Sequence, residues 1–233
     1  MKVKIRFRGK EVKVKLGLTH IEGWGRDDFT PETIKKMIDV TIESEVRDCE
    51  LGFLLCRCNQ KIIPSPKVIK GTYMELSKEE LFAQECPKGC KRVGYFHTHP
   101  HAAPRPTAID IKIGAREMAP IICVGADKEI TCYKVPNWII EYRKMAKEYG
   151  KKAHEVYEKL RQEGYNTEEI EKHPEYESLI RTWLKYDKKF EKYITDFGEA
   201  VERDDQLHLR SYEEYGKPFL KVRWSGFNLR RLR

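Results

Sequence analysis

The sequence predicts an α/β sandwich, a mixed, curved sheet flanked by helices, extended on its C-terminal side by a helical hairpin. Two observations carry this. Over residues 1–135, segments with the period of a strand alternate with segments with the period of a helix. After Pro136 the apolar residues fall three and four apart, the spacing of amphipathic helices. The chain of 233 residues therefore divides into a first domain, 1–135, and a second segment, 136–233, that holds the helical hairpin and a basic tail.

Val3, Ile5 and Phe7, then Val12, Val14 and Leu16, alternate with polar residues around Gly9-Lys10, which predicts a β-hairpin with one polar face. Thr30-Pro31-Glu32 is a helix start: a capping side chain, a proline at the first position, and an acid near the positive end of the helix dipole. Ile34, Met37, Ile38, Val40 and Ile42 give that helix a face to pack on a sheet. Leu51 to Cys58 reads as a strand, and another surrounds Val68-Ile69. Glu75 to Cys90 is a charged insertion with a short helix at Lys78 to Gln84. The apolar strand Val93-Gly94-Tyr95-Phe96 stops at Pro100, which cannot donate to a sheet ladder. Thr107-x-x-Asp110 then opens a helix from Ala108 to Met118, and Ile121 to Val135 forms a hairpin turning at Asp127-Lys128.

The first helix of the C-terminal hairpin runs from Trp138 through Tyr142, Tyr149, Ala153, Tyr157 and Leu160. Glu163-Gly164-Tyr165-Asn166 interrupts it, and a second series after Pro174 includes Ile180, Trp183, Phe190, Tyr193, Phe197 and Val201. Two such helices with a short connection pack antiparallel, so the stripe is core between them. A further hairpin turn is placed at Tyr215-Gly216-Lys217-Pro218. No acid follows Glu214, which leaves Asn228-Leu229-Arg230-Arg231-Leu232-Arg233 strongly basic.

Charged residues make up 35% of the chain, a bias found in heat-adapted proteins. The net charge of +8 favours acidic partners or nucleic acid without establishing either. There is no apolar run long enough to cross a bilayer and no signal-peptide pattern at Met1-Lys2-Val3-Lys4, so the expectation is a soluble, cytoplasmic protein with no membrane partner. Seven cysteines, odd in number and scattered, argue against a full disulfide framework there. Cys123 and Cys132 fall opposite each other across the predicted turn. Cys56, Cys58, Cys86 and Cys90 make two close pairs, open to a second, structural zinc, to simple burial, or to the disulfides of a heat-adapted cytosol.

The chemistry concentrates at His97-Thr98-His99-Pro100 and Thr107-Ala108-Ile109-Asp110. Side chains two apart on a strand share a face, so His97 and His99 can grip one ion from one side. The first turn of the following helix can aim Asp110 back at them. Two histidines and one aspartate leave the fourth position of a tetrahedral zinc for water, as in catalytic sites. Thr-x-x-Asp is also a capping box, a role compatible with the first. His101, after the proline, is placed in a solvated loop and not among the ligands.

These residues resemble the JAMM metalloproteases of the MPN domain family, whose pattern is an upstream glutamate, then His-x-His, seven residues, serine, two residues and aspartate. Here seven residues, Pro100 to Pro106, separate His99 from Thr107, so the departure inside the motif is threonine for serine. The resemblance covers residues 1–135 and implies an MPN-like (cytidine-deaminase-like) sandwich with the metal strand between two helices. It also implies Zn2+ at His97, His99 and Asp110, and hydrolysis of an isopeptide bond at the C-terminal glycine of a ubiquitin-like modifier protein. Glu50, directly before the strand Leu51–Cys58, matches the family's general base ahead of Glu43, Glu45 and Asp48. Thr107 would donate to the developing oxyanion. The competing readings are a peptidase that processes a sulfur-carrier or ubiquitin-like precursor, an MPN scaffold in a larger complex, and a nucleic-acid-binding protein. The helical hairpin adds a surface for a protein partner or self-association.

Overall fold

Residues 2–7, 10–18, 28–73, 75–212 and 218–225 are described in the computed structural model of the protein. They form a mixed sheet of nine strands, with helices on both of its faces. The N-terminal hairpin comprises β1 (Lys2–Phe7) and β2 (Lys10–Leu18), paired antiparallel from Lys2 with Lys15 to Phe7 with Lys10. The first helix, α1 (Pro31–Arg47), starts as its sequence requires, with the Thr30 side chain accepting from the Thr33 N–H. Next come β3 (Leu51–Cys58), β4 (Lys61–Pro64), β5 (Ile69–Lys70) and the one-turn helix α2 (Lys78–Phe82). β6 (Lys91–Thr98) leads to α3 (Ala108–Arg116), then to the hairpin β7 (Ile121–Ala126) and β8 (Glu129–Lys134). β4 is an addition to the expected elements: Asn59 and Gln60 both take positive φ and fold the chain straight back onto β3.

The sheet order is β1-β2-β9-β8-β7-β6-β3-β4, where β9 is Leu220–Ser225 and β5 pairs with β3 off this path. β6 and β7 run parallel and the other pairings are antiparallel. The pleat sorts residues between two faces. Phe53, Leu55, Phe96, Cys123, Ile130, Val222 and Trp224 join Met37, Ile38 and Ile42 of α1 in one buried cluster. Tyr95, His97 and Ile122 alternate with these and lie on the opposite face. α3 covers that face, and a Cβ on its Gly114 would come to 3.0 Å from both Tyr95 and Ile122, so a larger residue there would require these side chains to shift.

The sequence places everything after Pro136 in one extension, and the structure corrects this. One compact unit contains Met1–Val135 together with Phe197–Arg233, and the other is Pro136–Asp196. The cause is β9, which pairs with β2 on one side and β8 on the other and contributes Leu220, Val222 and Trp224 to the core. The turn placed at Tyr215-Gly216-Lys217 and the basic tail from Asn228 to Arg233 lie outside the described residues.

The second unit contains α4 (Asn137–Gln162), α5 (Thr167–Glu171) and most of α6 (Pro174–Arg203); α7 (Gln206–Leu209) follows in the first. Trp138 and Tyr142 meet Tyr193, Tyr149 meets Tyr186, and Tyr157 meets Tyr176, so the early part of α4 faces the late part of α6. The two helices are antiparallel. Gly164, at φ 97°, turns the chain between them, and Asn166 with Glu169 forms a reciprocal cap that starts α5. No described helix is long and apolar enough to cross a membrane.

The four thiols open to a second zinc are instead paired in disulfides, Cys56–Cys86 and Cys58–Cys90, and Cys123–Cys132 forms a third. Cys56 and Cys58 sit two apart on β3 while Cys86 and Cys90 bracket a tight turn, which brings each pair together; oxidised sulfurs are no longer thiolate ligands. Each bond staples the segment containing α2 to β3 across 30 or 32 residues. Loops of that length predict about 3–4 kcal/mol for one bond in the chain-entropy picture. Denatured, unreduced protein should titrate as one thiol, Cys49. Dithiothreitol should lower the denaturant midpoint; seven titratable thiols and an unmoved midpoint would refute the pairing.

Candidate metal centre

His97 lies near the end of β6 on the face covered by α3, fully buried and stacked on Tyr95 with ring centroids 5.3 Å apart. His99 falls just past the strand, but its N–H still bonds the Gly125 carbonyl at 2.9 Å. This continuation of the ladder keeps both imidazoles on one side, 4.6 Å between centroids. Asp110 is the third residue of α3. The ligand atoms of His97, His99 and Asp110 all lie within 4.8 Å of one another.

The capping box fixes the carboxylate. Thr107 Oγ1 accepts from the Asp110 N–H, and Asp110 Oδ2 accepts from the Thr107 N–H at 3.0 Å and from its hydroxyl at 2.8 Å. Capping and ligand placement are thus one arrangement. The Thr107 proton expected to face an oxyanion is directed here to Asp110. Asp110 Oδ1 faces His97 Nε2 at 3.2 Å, Asp110 Oδ2 faces His99 Nε2 at 3.4 Å, and the two Nε2 atoms are 2.9 Å apart.

Burial lowers the His97 pKa to about 3 against the pull of Asp110, so this imidazole is neutral at physiological pH. Burial alone would raise the Asp110 pKa, but His97, hydrogen bonds from both imidazoles and the charge of Lys78 hold it well below the ordinary carboxylate range. Neutral imidazole and ionised carboxylate are the forms that bind metal. Three lone-pair donors converging in buried surroundings can be satisfied together by one cation, and the group fits a metal ion.

Glu50 is buried just before β3. Its N–H bonds the Thr72 carbonyl, its carbonyl accepts from Gly71, and its carboxylate accepts from the Leu76 N–H. Burial raises its pKa, moderated by His99 and Lys78, while Asp110 raises it further; the carboxylate therefore feels the site electrostatically. Its rivals have other partners. Glu43 pairs with Arg47. Glu45 accepts from the backbone of His101 and Asp127, and Asp48 pairs with the His101 ring. His101 is outside the ligand group, as expected, but it is tied to Glu45 and Asp48 instead of standing free in solvent.

Several residues of the site carry no motif. Thr98 Oγ1 accepts from the Leu51 N–H and donates to Ser44, which donates to the Cys49 carbonyl, so α1, the start of β3 and the end of β6 are locked together. Gly52 sits opposite His97, and a Cβ there would meet Leu76 at 2.5 Å. Lys78 places its ammonium 3.1 Å from Asp110 Oδ1. The only sequence signal for Lys78 was its position in the charged insertion. Comparison with protein-family models and with curated proteins found no match to this chain.

Proposed function

We propose that this protein is a zinc metallopeptidase of the JAMM type, on an MPN-like sandwich, that hydrolyses isopeptide or peptide bonds at the C-terminus of ubiquitin-like modifier proteins. The observation that carries the reading is the convergence of His97, His99 and Asp110 beside a buried Glu50. Tetrahedral zinc bonded at 2.0–2.1 Å separates adjacent ligand atoms by about 3.3 Å. The two imidazole nitrogens are 2.9 Å apart, and each lies 3.2 or 3.4 Å from a different oxygen of Asp110, close to that spacing, which supports the ion.

Zinc held there supplies Lewis-acid activation of water and of the scissile carbonyl. The rest belongs to the chain. Glu50, anchored by the Leu76 N–H, takes a proton from the attacking water and delivers it to the leaving amine. Thr107 holds Asp110 in its ligand orientation. β6 is paired at His97 by Gly52 on one side and Val124 on the other, so a substrate tail has no free edge there to join. It enters instead along the groove between α2 and α3.

Purified protein should contain about one zinc per chain and release modifier from an isopeptide-linked conjugate, with loss in chelator and recovery on zinc addition. Mass spectrometry of the products separates this from a peptidase acting on linear precursors. Metal-replete protein that cleaves neither substrate would end the reading.

A further inference from the structure

Lys78 lies outside the motif, yet its ammonium sits 3.1 Å from Asp110 Oδ1 and 5.1 Å over the ring of Tyr95. A cap and packing hold the helix that carries it. Ser77 caps α2, Leu81 is fully buried, and Phe82 meets Tyr95 edge-on at 5.4 Å. The residues that follow are tied to β3 through Cys86 and Cys90. The side chain is 17% exposed, so it is open to a ligand as well as close to the ligand carboxylate. With Phe82, Ile113 and Arg116 it lines a groove of about 250 Å³.

An ammonium has three donor protons, and a single acceptor leaves the others for a second oxygen. The Thr107 hydroxyl cannot donate to substrate while it donates to Asp110 Oδ2. Lys78 is thus a cationic donor between the groove and the ligand carboxylate. We infer that Lys78 is a catalytic residue that binds the substrate carbonyl oxygen at the scissile bond, and afterwards the carboxylate that hydrolysis leaves on the modifier's terminal glycine. The assignment rests on the hydrolytic reading of the site. In that reaction the C–N bond breaks, the water oxygen bonds to carbon, and the amine leaves with the proton carried by Glu50. Negative charge grows on the carbonyl oxygen as the new bond forms, and a fixed ammonium stabilises that oxygen more than it does the neutral carbonyl.

The test uses full-length, zinc-loaded wild type, Lys78→Met and Lys78→Arg, with zinc content and circular dichroism measured first. A short peptide ending in glycylglycine, as free acid and as amide, is titrated calorimetrically into each. The expected result is that wild type and Lys78→Arg prefer the acid by about tenfold or more, the scale of a hydrogen bond to a charged group. Lys78→Met should lose the preference while keeping its zinc, with binding of the acid weakened by a larger factor than binding of the amide. On a conjugate, kcat should fall in Lys78→Met more than KM rises. Equal preference for acid over amide in Lys78→Met and wild type, or none in wild type, overturns the assignment. A Lys78-dependent preference in a protein that cleaves no conjugate keeps Lys78 as the carboxylate donor and removes the peptidase reading alone. If Lys78→Met fails to fold, a Lys78→Gln variant that folds and keeps the full preference overturns it equally.

Discussion

His99→Ala should lose bound zinc and hydrolysis together while the fold survives. The ring of His99 is 13% exposed and packs at the margin of the site, whereas its backbone bond to Gly125 needs no side chain. Removing it leaves His97 and Asp110, a two-ligand site. Carboxylate and imidazole partners that only orient ligands already change affinity by about 10–100-fold, so loss of a ligand should exceed about 100-fold. Zinc content after dialysis, near one per chain in wild type, should fall to background, with the circular dichroism spectrum unchanged. His97→Ala is a poorer probe, because its fully buried ring stacks on Tyr95 and its removal opens a void. Retention of one zinc per chain by folded His99→Ala would refute the ligand assignment.

Glu50→Gln should keep its zinc and lose at least about two orders of magnitude in turnover, the scale of a missing general base. Glutamine preserves the shape and can still accept from the Leu76 N–H, but it cannot take a proton. The pH profile gives an independent reading. Burial raises the Glu50 pKa, so the ionised base is populated only above a pH higher than the ordinary glutamate value. The acid limb of kcat/KM should therefore lie above about 4.3 in wild type and be absent from the residual rate of Glu50→Gln. Full activity in this variant, with loss on changing Asp48 or Glu45, would move the role to the C-terminal end of α1, where both carboxylates meet His101.

The site was legible where chemistry and local geometry coincide in sequence. His97 and His99 are two apart near the end of one strand, and Thr107 with Asp110 is a capping box whose partners lie within one helical turn. Glu50 was legible because it adjoins an apolar strand. Lys78 was not, because its approach to Asp110 depends on where tertiary structure lays α2, and a lysine in a charged insertion gives no periodic signal. The disulfides stayed one reading among three for a different reason. An odd count and an assumed reducing compartment outweighed the two-residue spacing of Cys56 and Cys58, which sets both sulfurs on one side of β3. The hairpin turn placed at Tyr215-Gly216-Lys217-Pro218 implied a strand after it, but not its partners, because nothing local in six residues shows that β9 pairs with β2 and β8.

The placement of that last strand has a consequence for synthesis on the ribosome. Leu16 of β2 and Ile130 of β8, 114 residues apart in sequence, both pair with Val222, so the two strands flank one strand only when residues 220–225 arrive between them. Until then a nascent chain carries two open strand edges while the whole of α4 and α6 is still emerging. Such late, long-range pairing slows folding and exposes edges to self-association. Ending the gene after Val135 would make that transient condition permanent. The helical unit can be studied by internal deletion, but a chain shortened from its C-terminal side should accumulate as aggregates through β2 and β8.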